Sequence, residues 1–205
     1  MQVGLTGSIG AGKTTVAQLL REHGAHVIDA DAHARAVLDE PEARSALIET
    51  FGPDVMRDGH VDRGALAERV FQDPAQRAAL EAIVHPRVRQ RVADEIAGAL
   101  AKPEPPAMIV HDVPLLYETG LAGTMDAVLV VDAPLPLRIE RVEARTGLSE
   151  TEIRRRDAAQ WPAARKRTEA DVVIVNDGDL DTLRTRLEVA WPTLLELART
   201  RATQR

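Results

Sequence analysis

A chain of 205 residues is long enough to bury roughly 70% of the surface its unfolded form exposes, so one domain, or one core carrying an insertion, folds without staples. It has no cysteine, which excludes disulfides, thiolate metal sites and cysteine nucleophiles and fits a cytoplasmic location, the one expected. A net charge of −6, only five aromatic side chains, no apolar run near the ~18 residues of a membrane span and no basic segment within residues 1–12 exclude a nucleic acid, a membrane and a secretory leader from the expected partners and signals.

The first apolar run, Val3–Thr6, reads as a buried strand and is followed by Gly7-Ser8-Ile9-Gly10-Ala11-Gly12-Lys13-Thr14. This octet matches G-x-x-x-x-G-K-[ST] in full, and a helical pattern over 14–23 follows it, the strand–loop–helix context the motif requires. Its glycines let main-chain N–H groups turn inward around phosphates, and the helix N-terminus adds positive potential. Gly7, Ser8, Gly10, Ala11, Gly12, Lys13, Thr14 and Thr15 are therefore the expected ATP-binding residues, with Lys13 at the β- and γ-phosphates and the Thr14 hydroxyl on Mg²⁺. Lys13 is one of three lysines against 23 arginines.

A second strand, His26–Ile28, runs into Asp29-Ala30-Asp31. Strand carboxyl ends face the ligand crevice in parallel α/β sheets, and a kinase acting on an alcohol needs a carboxylate to take the hydroxyl proton. Asp31 is the expected base; capping of the next helix is the alternative for both aspartates. The third strand, Met108–Val110, begins nearly eighty residues later, far more than a simple crossover needs, so a helical insertion occupies the interval. Within it Asp73-Pro74 with Gln76 opens a helix that Pro86 is expected to break or kink, and Lys102-Pro103-Glu104-Pro105-Pro106 is a linker.

Asp112, ending the third strand, has the place of a carboxylate holding Mg²⁺ through water, with capping as the alternative. A fourth strand, Ala127–Val131, precedes the only basic segment: residues 138–167 hold nine Lys/Arg against five Asp/Glu, so the rest of the chain stands at −10. Arg138, Arg141 and Arg145 fall at i, i+3 and i+7 on one helix face, suited to charge on a transferring phosphoryl group or to plain surface, and Arg141 is the one expected to be catalytic. Ser149 with Glu152 caps a further helix, on which Arg154, Arg155 and Arg156 read as a solvated face. The fifth strand is Val172–Val175, and the tail 199–205 is expected to be disordered. Val/Ile-rich strands with little alternation, separated by helices, give an α/β class with a five-stranded parallel sheet. A switch GTPase is excluded, because no glycine follows an aspartate by three positions and the single asparagine, Asn176, precedes Asp177 rather than a lysine.

Three further groups of residues make the pattern specific: Val27-Ile28-Asp29-Ala30-Asp31; Ile83-Val84-His85-Pro86; and Asp112-Val113-Pro114-Leu115-Leu116-Tyr117-Glu118. With the phosphate loop, Asp62-Arg63, and Val175-Asn176-Asp177-Gly178 in the same order, the chain from residue 2 to about 190 resembles the dephospho-CoA kinase family. The resemblance implies a P-loop NTPase fold with core segments 1–31, 107–137 and 168–195, a substrate-binding insertion 32–106 and a basic lid 138–167. It implies ATP and dephospho-CoA as substrates, with Asp31, His85 and Glu118 as acceptor contacts and Arg145 and Asn176 on the nucleotide side. His85 as a buried structural histidine, Glu118 as a solvent-facing residue and Asn176 in a plain turn are the rival readings. A related metabolite kinase, and a P-loop ATPase that signals to a protein partner, are the rival functions.

Overall fold

The structure is a computed structural model that describes residues 1–204, the side chain of Gln72 excepted. In chain order the elements are β1 (Gln2–Gly7), α1 (Lys13–Glu22), β2 (His26–Asp29), α2 (Ala30–Val37), α3 (Pro41–Phe51), β3 (Met56–Arg57), β4 (His60–Val61), α4 (Arg63–Gln72), α5 (Pro74–Leu100), β5 (Ile109–Asp112), β6 (Ala127–Asp132), α6 (Leu135–Thr146), α7 (Glu150–Ala158), α8 (Ala163–Glu169), β7 (Val172–Val175) and α9 (Leu180–Ala202). They form two compact units, one of Met1–Ile28 with the chain from Lys102 onward, the other of Asp29–Ala101.

The first unit is built on a five-stranded parallel sheet of order β2-β5-β1-β6-β7. Its central strands are buried on both faces, which is why Val3, Leu5, Val128, Leu129, Val130 and Val131 show no polar alternation. The helix α1 buries Val16, Ala17, Leu19 and Leu20, and α9 buries Leu183, Leu187, Leu194 and Ala198; both stripes have helical spacing and join the core of β1 and β6. This arrangement puts the carboxyl ends of β1, β5, β6 and β7 together along one edge of the sheet, where Gly7, Asp112, Asp132 and Asn176 emerge.

The second unit is helical, with a core of Leu47, Phe51, Val55, Val61 and Leu66 and a smaller cluster of Val37, Ala43 and Val84. It also holds an antiparallel ribbon of β3 and β4, turning through Asp58 and Gly59 at positive φ of 52° and 79°. Asp-Gly is the residue pair such a turn selects. Asp73 caps α5 as expected, accepting from the N–H groups of Ala75 and Gln76. The expected break at Pro86 does not occur: α5 runs unbroken for 27 residues. Proline removes one donor and crowds the preceding turn, but α5 packs against α2, α3 and α4, and the Arg87 guanidinium donates to the Ile83 carbonyl at 2.7 Å. The tail is likewise corrected, since α9 continues to Ala202; Arg205 lies outside the described residues. Among the described residues no helix is long and apolar enough to cross a membrane.

Leu129 is fully buried at the centre of β6. Leu129→Ala should therefore cost about 2–5 kcal/mol of stability, from lost transfer energy and a residual cavity. A urea titration should show a lowered midpoint with an unchanged slope.

Candidate active site

The segment from Gly7 to Gly12 leaves β1 and turns into α1 with Gly12 as the helix N-cap at φ 95°. Gly10 also has positive φ, 79°. A Cβ on Gly12 would stand 2.0 Å from Asn176 Nδ2, and one on Gly10 would stand 2.5 Å from the Arg138 carbonyl oxygen. Glycine is thus required at both positions by backbone conformation and by the neighbours that close on the loop.

Three side chains brace the loop from outside. The Gln160 Oε1 accepts from the Ile9 N–H at 3.0 Å, and the Arg138 guanidinium donates to the Ile9 carbonyl at 3.2 Å. The Asn176 amide donates to the Ala11 carbonyl at 2.9 Å. Arg138 is only 3% exposed; it also donates to the Ala133 carbonyl at 3.0 Å and pairs with Asp157. A guanidinium buried among two carbonyls and a carboxylate is a fixed brace, so of the three arginines on α6 this one faces the protein.

The braced loop opens on a cavity of about 310 Å³ lined by residues 7–15, Pro114, Arg145, Arg156 and Gln160. Lys13 is among the lining residues and pairs with the Asp112 carboxylate. Thr14 and Thr15 are exposed beside Lys13. A second cavity of about 320 Å³ shares Gly10, Gly12, Thr15 and Arg145 and adds Arg141, Asn176 and Leu180. The Arg141 guanidinium donates to the Asn176 carbonyl at 2.9 Å. Arg141 therefore lies against the second cavity, whereas Arg145 lines both. Asn176, expected in a loop beside the nucleotide base, does line the second cavity, but its side-chain donor is committed to the phosphate loop.

Arg156 is what the sequence did not disclose. Arg154 and Arg155 are exposed and paired to Glu150 and Glu152, as a solvated face should be. Arg156, one position on, also reaches Glu152 at 3.0 Å and lines the phosphate-loop cavity. Its spacing of four from Gln160, the loop's brace, is the only sequence signal that sets it apart.

Glu118 is neither solvent-facing nor free. Its Oε1 accepts from the Trp161 N–H at 2.6 Å and lies 3.0 Å from the Lys166 ammonium, which is fully buried. Burial pushes the Glu118 carboxyl up, but the Trp161 N–H and the Lys166 cation outweigh it and hold it below the usual glutamate value.

In the second unit, Asp29 caps α2 by accepting from the Ala32 N–H at 2.8 Å. Asp31 stands exposed in the first turn of α2, and among the described residues no hydrogen bond or ion pair engages its carboxylate. His85 is exposed on α5, against the structural reading, and lines an apolar groove of about 240 Å³ with Ala34, Leu38, Leu80 and Val84.

Gly12→Ala should destabilise by roughly 1–3 kcal/mol through the left-handed backbone alone, and by more through the clash with Asn176. Asn176→Ala removes that clash but not the strain. The double variant should therefore melt below Asn176→Ala by the strain term, as a pair of thermal melts would show.

Residues 1–182 match the family model described as dephospho-CoA kinase. A dephospho-CoA kinase of Deinococcus radiodurans is 53% identical over 189 residues, covering 92% of this chain and 90% of that one. Among solved structures, TT1252 from Thermus thermophilus superposes with a TM-score of 0.83 at 40% identity, covering 95% of this chain and 97% of its own. The dephospho-CoA kinase from Campylobacter jejuni shares the fold, with a TM-score of 0.61 at 24% identity over 94% of this chain and 96% of its own. With a phosphate loop braced on the edge of a parallel sheet and a family match over most of its length, the chain belongs to the dephospho-CoA kinase family.

Proposed function

We propose that the chain transfers the γ-phosphoryl group of ATP to the ribose 3′-hydroxyl of dephospho-CoA, giving CoA and ADP. The observation that carries this reading is the phosphate-loop cavity: the glycine-rich loop, Lys13 and two guanidinium groups around a space of about 310 Å³, in a chain of this family.

In this reading the loop and the N-terminus of α1 take the β- and γ-phosphates, with the Lys13 ammonium offsetting their charge. Arg145 and Arg156 face the transferring group, and the second cavity, with Arg141 and Asn176, takes the nucleoside end of ATP. The catalytic role first expected of Arg141 thereby passes to the two arginines that line the phosphate cavity. Residues 138–167 serve as the lid, and the unit of Asp29–Ala101 receives dephospho-CoA, with His85 and its apolar groove among the acceptor contacts.

The donor set at the loop fits Mg²⁺. Thr14 and Asp112 offer hard oxygen donors, Mg²⁺ takes few protein ligands beside phosphates, and the Asp112 carboxylate already pairs with a cation, Lys13. Thr14 and Asp112 would hold the metal, which when bound offsets charge on the phosphate oxygens.

Asp31 is the general base. The 3′-oxygen forms the new bond to the γ-phosphorus, the bond to the β–γ bridging oxygen breaks, ADP leaves with the electron pair, and the hydroxyl proton passes to Asp31. Two observations support Asp31 over Asp29: Asp29 is occupied as the cap of α2, and the Asp31 carboxylate is unengaged.

Lys13→Ala should abolish acceptor-dependent ADP formation with the circular dichroism spectrum unchanged, and chelation by EDTA should do the same. Either variant or chelated enzyme running near the wild-type rate would contradict the reading.

Asp31→Asn should lower turnover by roughly 10²–10⁴ while ATP binding persists. Asp29→Asn should stay near wild type, because asparagine caps a helix about as well as aspartate. Steady-state rates with dephospho-CoA, set against other nucleosides and metabolite alcohols as acceptors, test both the base and the substrate.

A further inference from the structure

Ile9 is the one loop residue whose main-chain N–H and carbonyl are both held by side chains from the segment after β6. Arg138 is anchored within α6, but Gln160 lies between α7 and α8, in a stretch with no regular structure of its own. Something must fix that stretch, because a glutamine that swings away frees the Ile9 N–H.

The Gln160 N–H donates to the Asp157 carbonyl at 3.0 Å, which ties it to the end of α7, and the contacts that hold the chain beyond it begin at the next residue. The Trp161 N–H donates to Glu118, which sits in the loop after β5. The Trp161 ring stacks on Tyr117 at 5.2 Å between centroids with 9° between planes, and the Arg165 guanidinium lies 3.4 Å from the Trp161 ring centroid. Lys166, with 0% of its surface exposed, sets its ammonium 3.0 Å from the same Glu118 oxygen that receives the Trp161 N–H. A buried ammonium and a carboxylate held largely away from water are each more unfavourable alone than paired, so removing one partner strands the other. Lys166 therefore lets Glu118 stay ionised as a strong acceptor at that depth.

We propose that Glu118 is a positioning residue for the phosphate loop: its carboxylate, neutralised by Lys166, holds the Trp161 main chain and thereby seats Gln160 on the Ile9 N–H and Arg156 at the phosphate cavity. Glu118 touches neither ATP nor acceptor in this assignment. It ties the loop after β5 to the stretch that bears Gln160 and directly follows α7, the helix that bears Arg156. The inference rests on the phosphoryl-transfer reading above and goes beyond it in naming what holds the loop in register.

The test compares two double variants that both remove the buried charges. Glu118→Gln/Lys166→Met keeps an amide oxygen to accept the Trp161 N–H, and Glu118→Ala/Lys166→Met does not. The first should keep wild-type kcat and KM for ATP. The second should lose roughly 10–100-fold in kcat/KM for ATP, the scale of an ångström-level misplacement, with KM for dephospho-CoA unchanged. A merely structural role would lower the active fraction and leave both KM values alone.

Gln160→Ala should reproduce the ATP defect without a change in melting temperature, and this holds even if the alanine double variant does not fold. Added to the alanine double variant, it should change the rate by no more than about 2-fold, since residues acting through one contact are not additive. Equal ATP parameters in the two double variants, or a multiplicative loss on adding Gln160→Ala, would overturn the assignment. Binding of a fluorescent ATP analogue to the same proteins separates the two levels. If wild-type enzyme fails to phosphorylate dephospho-CoA, the functional reading falls, while the analogue still reports whether Glu118 governs the loop.

Discussion

A loop built on glycines has few side chains with which to hold itself. Gly7, Gly10 and Gly12 must stay bare, and two of the three adopt positive φ, so rigidity has to come from elsewhere. In this chain it comes from the outside: Gln160 and Arg138 take the two main-chain groups of Ile9, and Asn176 takes the carbonyl of Ala11. Every one of these donors and acceptors lies more than a hundred residues away in sequence. The phosphate site is therefore a product of the whole first unit, and its geometry is only as firm as the elements that carry those three side chains.

The sheet order explains how they arrive. With β1 central, β5 brings Asp112 to one side of the loop, while β6 and β7 bring α6 and Asn176 to the other. The close approach also explains the glycines, since a Cβ on Gly10 or Gly12 would meet Arg138 or Asn176 at less than van der Waals distance. The buried Arg138, paired with Asp157 and donating to two carbonyls, is unfavourable to desolvate unless every donor is matched, and here the matches are what hold the loop.

Much of this was legible in the sequence, for a definite reason. The central strands are buried on both faces and the edge strands are equally rich in valine and isoleucine, so composition betrays them, and the phosphate loop announces itself through glycine spacing. What the sequence withheld were contacts set by the third dimension. Helical spacing put Arg138, Arg141 and Arg145 on one face but could not say that Arg138 turns inward, that Arg141 meets Asn176, or that Arg145 lines the cavity. The run Arg154–Arg156 reads as uniform surface, yet only its last member lines the phosphate cavity. Glu118 carried no sign of its buried partner, because Lys166 lies 48 positions on and looks like any surface lysine in a basic segment. The ribbon at Asp58-Gly59 was visible in principle through its turn residues, and the unbroken course of α5 across Pro86 is a case of packing overriding local propensity.

The account stands or falls on where the γ-phosphoryl group goes. The most direct measurement supplies ATP labelled in that group together with dephospho-CoA and follows the label by phosphorus NMR. The account predicts one labelled phosphomonoester on the ribose 3′-oxygen for each ADP formed. Label appearing as inorganic phosphate at the same rate with and without dephospho-CoA would contradict it.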